Sequence, residues 1–68
     1  MRDVKRIKPI MEELEKAWNK VPDMRFGQFI YLLADKQYEK TNISDIFHPE
    51  DDVWLEVLKD FNKPKNKK

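Results

Sequence analysis

The sequence contains no cysteine, a single glycine, a single histidine and no long run of apolar residues. Without cysteine, disulfide bonds and thiolate metal sites are excluded, so hydrophobic packing must supply the stability of the fold. A single glycine excludes the glycine-rich loops that bind phosphate groups. A membrane span needs about 20 apolar residues, and residues 1–8 are charged where a secretory signal would be apolar. We therefore expect a cytoplasmic protein.

The chain has 68 residues, and no Gly/Ser-rich or Pro-rich stretch divides its interior. We predict one domain over residues 1–62, followed by a disordered basic tail over 63–68. A chain of this size buries only about 60% of the surface that its unfolded form exposes. Self-association as a homodimer would therefore stabilise it.

Charge is segregated along the chain. Residues 1–8, 9–62 and 63–68 carry net charges of +3, −6 and +4, which together give the +1 of the whole chain. An acidic body repels phosphate, and each basic end is short, so nucleic acid is a poor candidate for the main partner.

A first helix is predicted over residues 6–20. Apolar residues recur at steps of three and four, which is the spacing of one helix face. They are Ile7, Ile10, Met11, Leu14, Ala17, Trp18 and Val21. Pro9 fits in the first turn, where its missing N–H has no partner to lose, and Pro22 ends the helix.

A second helix is predicted over residues 24–40, with Asp23 as its N-cap. Its main apolar face is followed by a second stripe, formed by Gly27, Tyr31, Ala34 and Tyr38. A helix that is apolar on two sides usually lies between two neighbours. This pattern predicts that the second helix is central and contacts both others.

The third helix is predicted over residues 49–62, because Pro49 is followed by three acids, an arrangement typical of a helix start. Its inner face holds Trp54, Val57, Leu58 and Phe61. Before it, residues 41–48 predict an ordered connection whose Ile43, Ile46 and Phe47 are attached to the core. The fold class predicted is all-α, a three-helix bundle or orthogonal array.

The only cluster that suggests chemistry is His48 with Glu50, Asp51 and Asp52. Zinc needs ligands that converge from separate turns, whereas these acids diverge on one turn and favour a role in stabilising the helix start. No serine stands in a convincing relation to the single histidine. We expect no catalytic, metal or cofactor site, and no enzyme.

Gly27 is unusual because a glycine inside a helix costs about 1 kcal/mol relative to alanine. Either another helix approaches closely across its missing side chain, or a partner binds to the stripe of Gly27, Tyr31, Ala34 and Tyr38. Tyrosines are enriched among the residues that dominate binding energy at protein interfaces. The two large indoles, Trp18 and Trp54, are expected in the core.

The segment from Trp18 through Pro22-Asp23 and Arg25 to Gly27-Gln28, together with the later Glu50-Asp51-Asp52, resembles a family of short uncharacterised bacterial and phage proteins. The resemblance spans most of residues 6–61, although His48-Pro49 replaces a more usual aromatic residue. It implies a helical fold and a phage or bacterial origin, and no activity. It also groups Arg25 with Gly27 and Gln28, either as a buttress between helices or as part of a binding surface.

These observations lead to one main hypothesis and one alternative. The main hypothesis is a non-enzymatic protein–protein interaction module that binds a host or other partner protein. Its candidate residues are Arg25, Gly27, Gln28, Tyr31, Tyr38, Glu50, Asp51 and Asp52. The alternative is a weak nucleic-acid accessory protein that uses its basic termini.

Overall fold

The computed structural model describes residues 3–63 and confirms the all-α, three-helix fold class. A short 3₁₀ turn, Val4–Arg6, leads into α1 (Ile7–Lys20), which is followed by α2 (Phe26–Thr41) and α3 (Asp51–Asn62). No strand occurs in this described part of the chain. The predicted disordered tail falls almost wholly on residues 64–68, which lie outside it.

Helix α1 ends at Lys20, as predicted, and Pro9 lies in its first turn. The preceding 3₁₀ turn is capped by Asp3, whose carboxylate accepts a hydrogen bond from the Lys5 N–H at 2.9 Å. Val21 then closes the helix by donating its N–H to the Trp18 carbonyl at 3.0 Å. The chain leaves the helical conformation one residue before Pro22, because the residue preceding proline is pushed out of the α region.

Helix α2 begins at Phe26 and not at Met24, so the predicted start and the predicted N-cap at Asp23 were both wrong. Met24 is held in the turn because its N–H donates to the Val21 carbonyl at 3.0 Å while its own carbonyl accepts from the Trp18 indole at 3.0 Å. The N-cap is Arg25. The side-chain carbonyl of Gln28 accepts the Arg25 N–H at 2.9 Å, which is one half of a capping box.

The core lies where the three helices meet. Its buried members are Ala17 of α1, Phe29 and Leu33 of α2, and Leu58 of α3. Both tryptophans pack against this cluster, as predicted. The Trp18 ring stacks on Phe29 with centroids 5.8 Å apart, and Phe29 meets Phe61 edge-on at 6.4 Å. One aromatic series thus joins all three helices.

Helix α3, and not α2, is the element that packs extensively against both others. It lies along α1: Asp51 at its start pairs with Arg6, and Asn62 at its end donates to Glu13. Helix α2 meets the C-terminal half of α3, through Phe29 against Phe61 and through Lys40 against Asp60. Helix α2 does contact both other helices through Phe29, as predicted, but its predicted central position was wrong, because the stripe beside its main apolar face is turned to solvent.

Two details before α3 also differ from the sequence prediction. The helix begins at Asp51, two residues later than expected, and Pro49 is buried ahead of the N-cap residue Glu50. Ile43, Ile46 and Phe47 are exposed, not attached to the core, and the exposed fraction of Phe47 is 88%. The cause is local: the Asp45 carboxylate accepts the Phe47 N–H at 2.7 Å and also bonds to His48, which folds this segment on itself.

Candidate protein-interaction surface

The stripe of Gly27, Tyr31, Ala34 and Tyr38 lies on the outer surface of α2. We call these four residues the α2 stripe. Tyr31 is 71% exposed and Tyr38 48% exposed, whereas Leu33 and Gln37 on the inner side are buried. Residues four and seven apart share a helix face, so both rings stand on one side of the helix. The structure therefore places Gly27 and both tyrosines at the surface, with Ala34 half-buried between them.

Gly27 does not allow a close approach between helices, which was one of its two sequence interpretations. A Cβ placed on it would meet nothing within 4 Å. Its φ is also not positive, so no special backbone conformation requires glycine here. Within the described residues, neither packing nor backbone geometry explains this glycine.

Two other residues of the candidate set, Arg25 and Gln28, lie in the first turn of α2 beside Gly27. Both are exposed. Gln28 has the structural role already described, because its side chain accepts the Arg25 N–H. The guanidinium group of Arg25 contributes no acceptor to this cap, since it carries only donors. Arg25 places its positive charge at the Gly27 end of the α2 stripe.

The acidic candidates Glu50, Asp51 and Asp52 form a separate surface. Asp51 pairs with Arg6, which places the start of α3 beside the start of α1. Gly27 instead follows the end of α1, a helix of 14 residues and hence about 20 Å long. The structure thus does not bring the eight candidate residues together: five lie on α2 or at its start, and three at the start of α3.

His48 is exposed and bonds through Nδ1 to the carboxylate of Asp45. The hydrogen bond from the Phe47 N–H, followed by that from His48, lowers the pKa of Asp45 below its usual range. Within residues 3–63, no group of three or more His, Asp or Glu side chains is arranged to hold a metal ion. The Asp45–His48 pair is best understood as the bond that shapes this turn.

Other apolar side chains are exposed besides the α2 stripe. Val4, Ile7 and Met11 lie on one side of the 3₁₀ turn and of α1, and Phe26 begins α2. Among the residues that dominate binding energy at protein interfaces, tyrosine is enriched, whereas isoleucine, methionine and phenylalanine are not singled out and valine is under-represented. Two tyrosines on one face therefore make the α2 stripe the stronger candidate.

A second surface was missed by sequence reasoning: an open groove where the C-terminal ends of the helices meet. Its volume is about 900 Å³. Four lysines, two carboxylates and two apolar residues of α3 line it: Lys20, Lys36, Lys40, Lys63, Glu39, Asp60, Val57 and Phe61. We call it the lysine groove. In sequence its lysines are spread over 44 positions, so only the packing of the helices reveals it.

Carboxylates partly neutralise the lysine groove: Glu39 and Asp60 line it, and Glu56 lies beside it. Lys40 Nζ lies 2.9 Å from Asp60 and 3.9 Å from Glu56, and Lys63 Nζ lies 3.5 Å from Asp60. The hydrogen bond with Asp60 raises the pKa of Lys40 and lowers that of Asp60. Both groups therefore stay charged at neutral pH.

Comparison of the chain with protein-family models, with curated proteins and with solved structures gives no match. Among residues 3–63, no helix is both long enough and apolar enough to cross a membrane. The surfaces described above are therefore the basis on which a function can be inferred.

Proposed function

We propose that this protein is a non-enzymatic interaction module that binds a partner protein through the α2 stripe. The observation that carries the proposal is the exposure of Tyr31 and Tyr38 on the same face, at 71% and 48%. Each ring offers a large apolar area with a hydroxyl at its edge, at a small cost in side-chain entropy. Such side chains act as anchors when a partner removes them from water.

Gly27 supports the same surface. A glycine in a helix weakens the helix, and here no contact with any residue of 3–63 compensates for it. A partner that approaches the first turn of α2 would gain from the missing side chain, because the backbone lies open beside Arg25. The stripe then has a flat end at Gly27 and an aromatic end at Tyr38.

The remaining chemistry favours binding over catalysis. The single histidine is exposed on a turn, where it bonds to Asp45 and shapes the segment before α3. The resemblance to short phage and bacterial proteins suggests a bacterial partner, and a phage-encoded protein that acts on a host protein is one form of this proposal.

Affinity capture from bacterial lysate with quantitative mass spectrometry tests the proposal. The wild type and the control variant Met11→Ala/Phe47→Ala, which removes exposed apolar side chains elsewhere, should retain the same protein. The variant Tyr31→Ala/Tyr38→Ala should lose it. Purified components should then reproduce the difference in a direct titration. The proposal fails if all three proteins recover the same set, or if the control loses the partner and the tyrosine variant retains it.

A further inference from the structure

The lysine groove offers a second binding surface, on another side of α2 from the α2 stripe. At about 100° per residue, Lys36 stands roughly opposite Ala34 and Tyr38 around the helix. The groove is bordered on its other sides by Lys20 at the end of α1 and by the last turn of α3. A ligand in the groove would therefore leave Tyr31 and Tyr38 free.

The positive charge of the groove is only partly used within the protein. Lys40 and Lys63 are paired with Asp60. Lys20 and Lys36 form no ion pair with any other described residue, although they belong to different helices that border the same groove. Two cations thus stand on separate walls, and both are available to a ligand that carries carboxylates.

The floor of the groove is apolar. Val57 and Phe61 line it between the lysine-bearing walls. Its volume lies within the range of about 300–1,000 Å³ that is typical of ligand sites. An occupant that matches both features combines negative charge at its edges with an apolar side chain in the middle.

We propose that the lysine groove binds an acidic segment of a partner protein, which inserts one apolar side chain over Val57 and Phe61 and places carboxylates beside Lys20 and Lys36. Glu39 and Asp60 also border the groove. A nucleic-acid backbone, with its continuous row of phosphates, would run past these carboxylates and gain little from an apolar floor. A peptide with separated charges can avoid them.

The probe is a short fluorescein-labelled peptide of glutamate, alanine and leucine, with leucine at helical spacing, titrated with the full-length protein by fluorescence anisotropy. Added salt should weaken its binding. Changing its glutamates to glutamine, or its leucines to serine, should also weaken binding, because each change removes one of the two matched features. A labelled oligothymidine serves as the phosphate probe.

The test variant is Lys20→Glu/Lys36→Glu, and its matched control is Lys5→Glu/Lys59→Glu, which makes the same change of charge on exposed lysines outside the groove. The groove variant should weaken peptide binding by about tenfold, as expected when two partly exposed ion pairs are replaced by repulsion. The control should change it by less than about threefold. Lys20→Gln/Lys36→Gln should give an intermediate loss, and circular dichroism should show that all variants are folded.

Three results would overturn the proposal: no binding of the acidic peptide, equal weakening by groove and control variants, or oligothymidine binding more tightly than the peptide with the same dependence on Lys20 and Lys36. The last result would identify the groove as a phosphate site. None of them bears on the α2 stripe, since Tyr31 and Tyr38 are unchanged in every variant.

Discussion

The indole Nε1–H of Trp18 donates a hydrogen bond to the carbonyl of Met24 at 3.0 Å, across the turn that joins α1 to α2. The same ring stacks on Phe29 and lies 5.3 Å from Phe26. One side chain therefore both fixes the turn and contacts the start of the next helix. This dual role explains why α2 begins after Met24.

We expect Trp18→Phe to destabilise the protein by about 1–2 kcal/mol, because it removes the indole donor and some ring contact. Urea unfolding followed by circular dichroism measures the change. Trp54→Phe is the matched control, since Trp54 also packs on the core but its indole forms no hydrogen bond with any other residue of 3–63. If the two variants lose the same stability, the bond to Met24 contributes nothing measurable.

The pair of Arg6 and Asp51 joins the starts of α1 and α3, and both side chains are a little over one third exposed. A double-mutant cycle with Arg6→Ala and Asp51→Ala should give a coupling energy of about 0.5–1 kcal/mol at low salt. The coupling should shrink as salt is added. Lys8 and Glu12, which lie 3.7 Å apart on exposed surface, provide a comparison cycle that should give less.

Gly27→Ala should stabilise the protein by about 0.5 kcal/mol, because the new methyl group meets no atom of the described residues within 4 Å and alanine favours the helix. If the α2 stripe is the partner surface, the same change should weaken capture of the partner. A variant that is more stable and yet binds less cannot be explained by unfolding. Unchanged binding would remove Gly27 from the proposed surface while leaving the tyrosines in it.

Asn62 should control the titration of Glu13. Its Nδ2 donates to the Glu13 carboxylate at 2.8 Å, and this bond, more than the nearby Lys16, lowers the pKa of Glu13. The pKa of Glu13 is thus lower in the folded protein than in the unfolded chain, where it has the ordinary value of about 4.3. The interaction therefore stabilises the fold at pH values above this ordinary pKa. The stabilisation is lost as the pH falls through the pKa of Glu13 in the folded protein. Asn62→Ala should return the pKa of Glu13 toward its ordinary value.

Carboxyl NMR titration of wild type and Asn62→Ala checks this expectation. Asp45 is an internal control, because its pKa is lowered by the Phe47 N–H and by His48 and should not respond to Asn62. An unchanged Glu13 titration would show that the Asn62 bond is absent in solution. A shift of Asp45 as well would indicate a global change of structure.

The helices could be predicted from sequence because their apolar spacing is regular, and the ends of α1 and α3 were correct to the residue. The start of α2 could not be predicted in the same way, because it depends on the hydrogen bond from the Trp18 indole to the Met24 carbonyl, six residues later. One local signal was available: Gln28 stands three residues after Arg25, which is the capping-box spacing. The position of Phe47 was missed because apolar character alone cannot distinguish a buried side chain from one that a local hydrogen bond turns outward.

Only part of the candidate site could be predicted from the sequence. The sequence placed Tyr31 and Tyr38 on one stripe, but whether that stripe faced a helix or solvent depended on which helix took the central position. The lysine groove could not be predicted at all, because only the packing of the helices brings Lys20 and Lys36, which lie on different helices, to the same groove.

The contact between Trp18 and Met24 closes a loop of six residues, whereas the contact between Arg6 and Asp51 closes one of 45. Short loops lose less chain entropy on closure, so the corner between α1 and α2 is expected to form early and α3 to dock last. If the helices assemble in this order, Phe29 and Ala17 stay partly exposed until α3 docks. Burial of these two core residues then depends on Leu58 and Phe61 of α3.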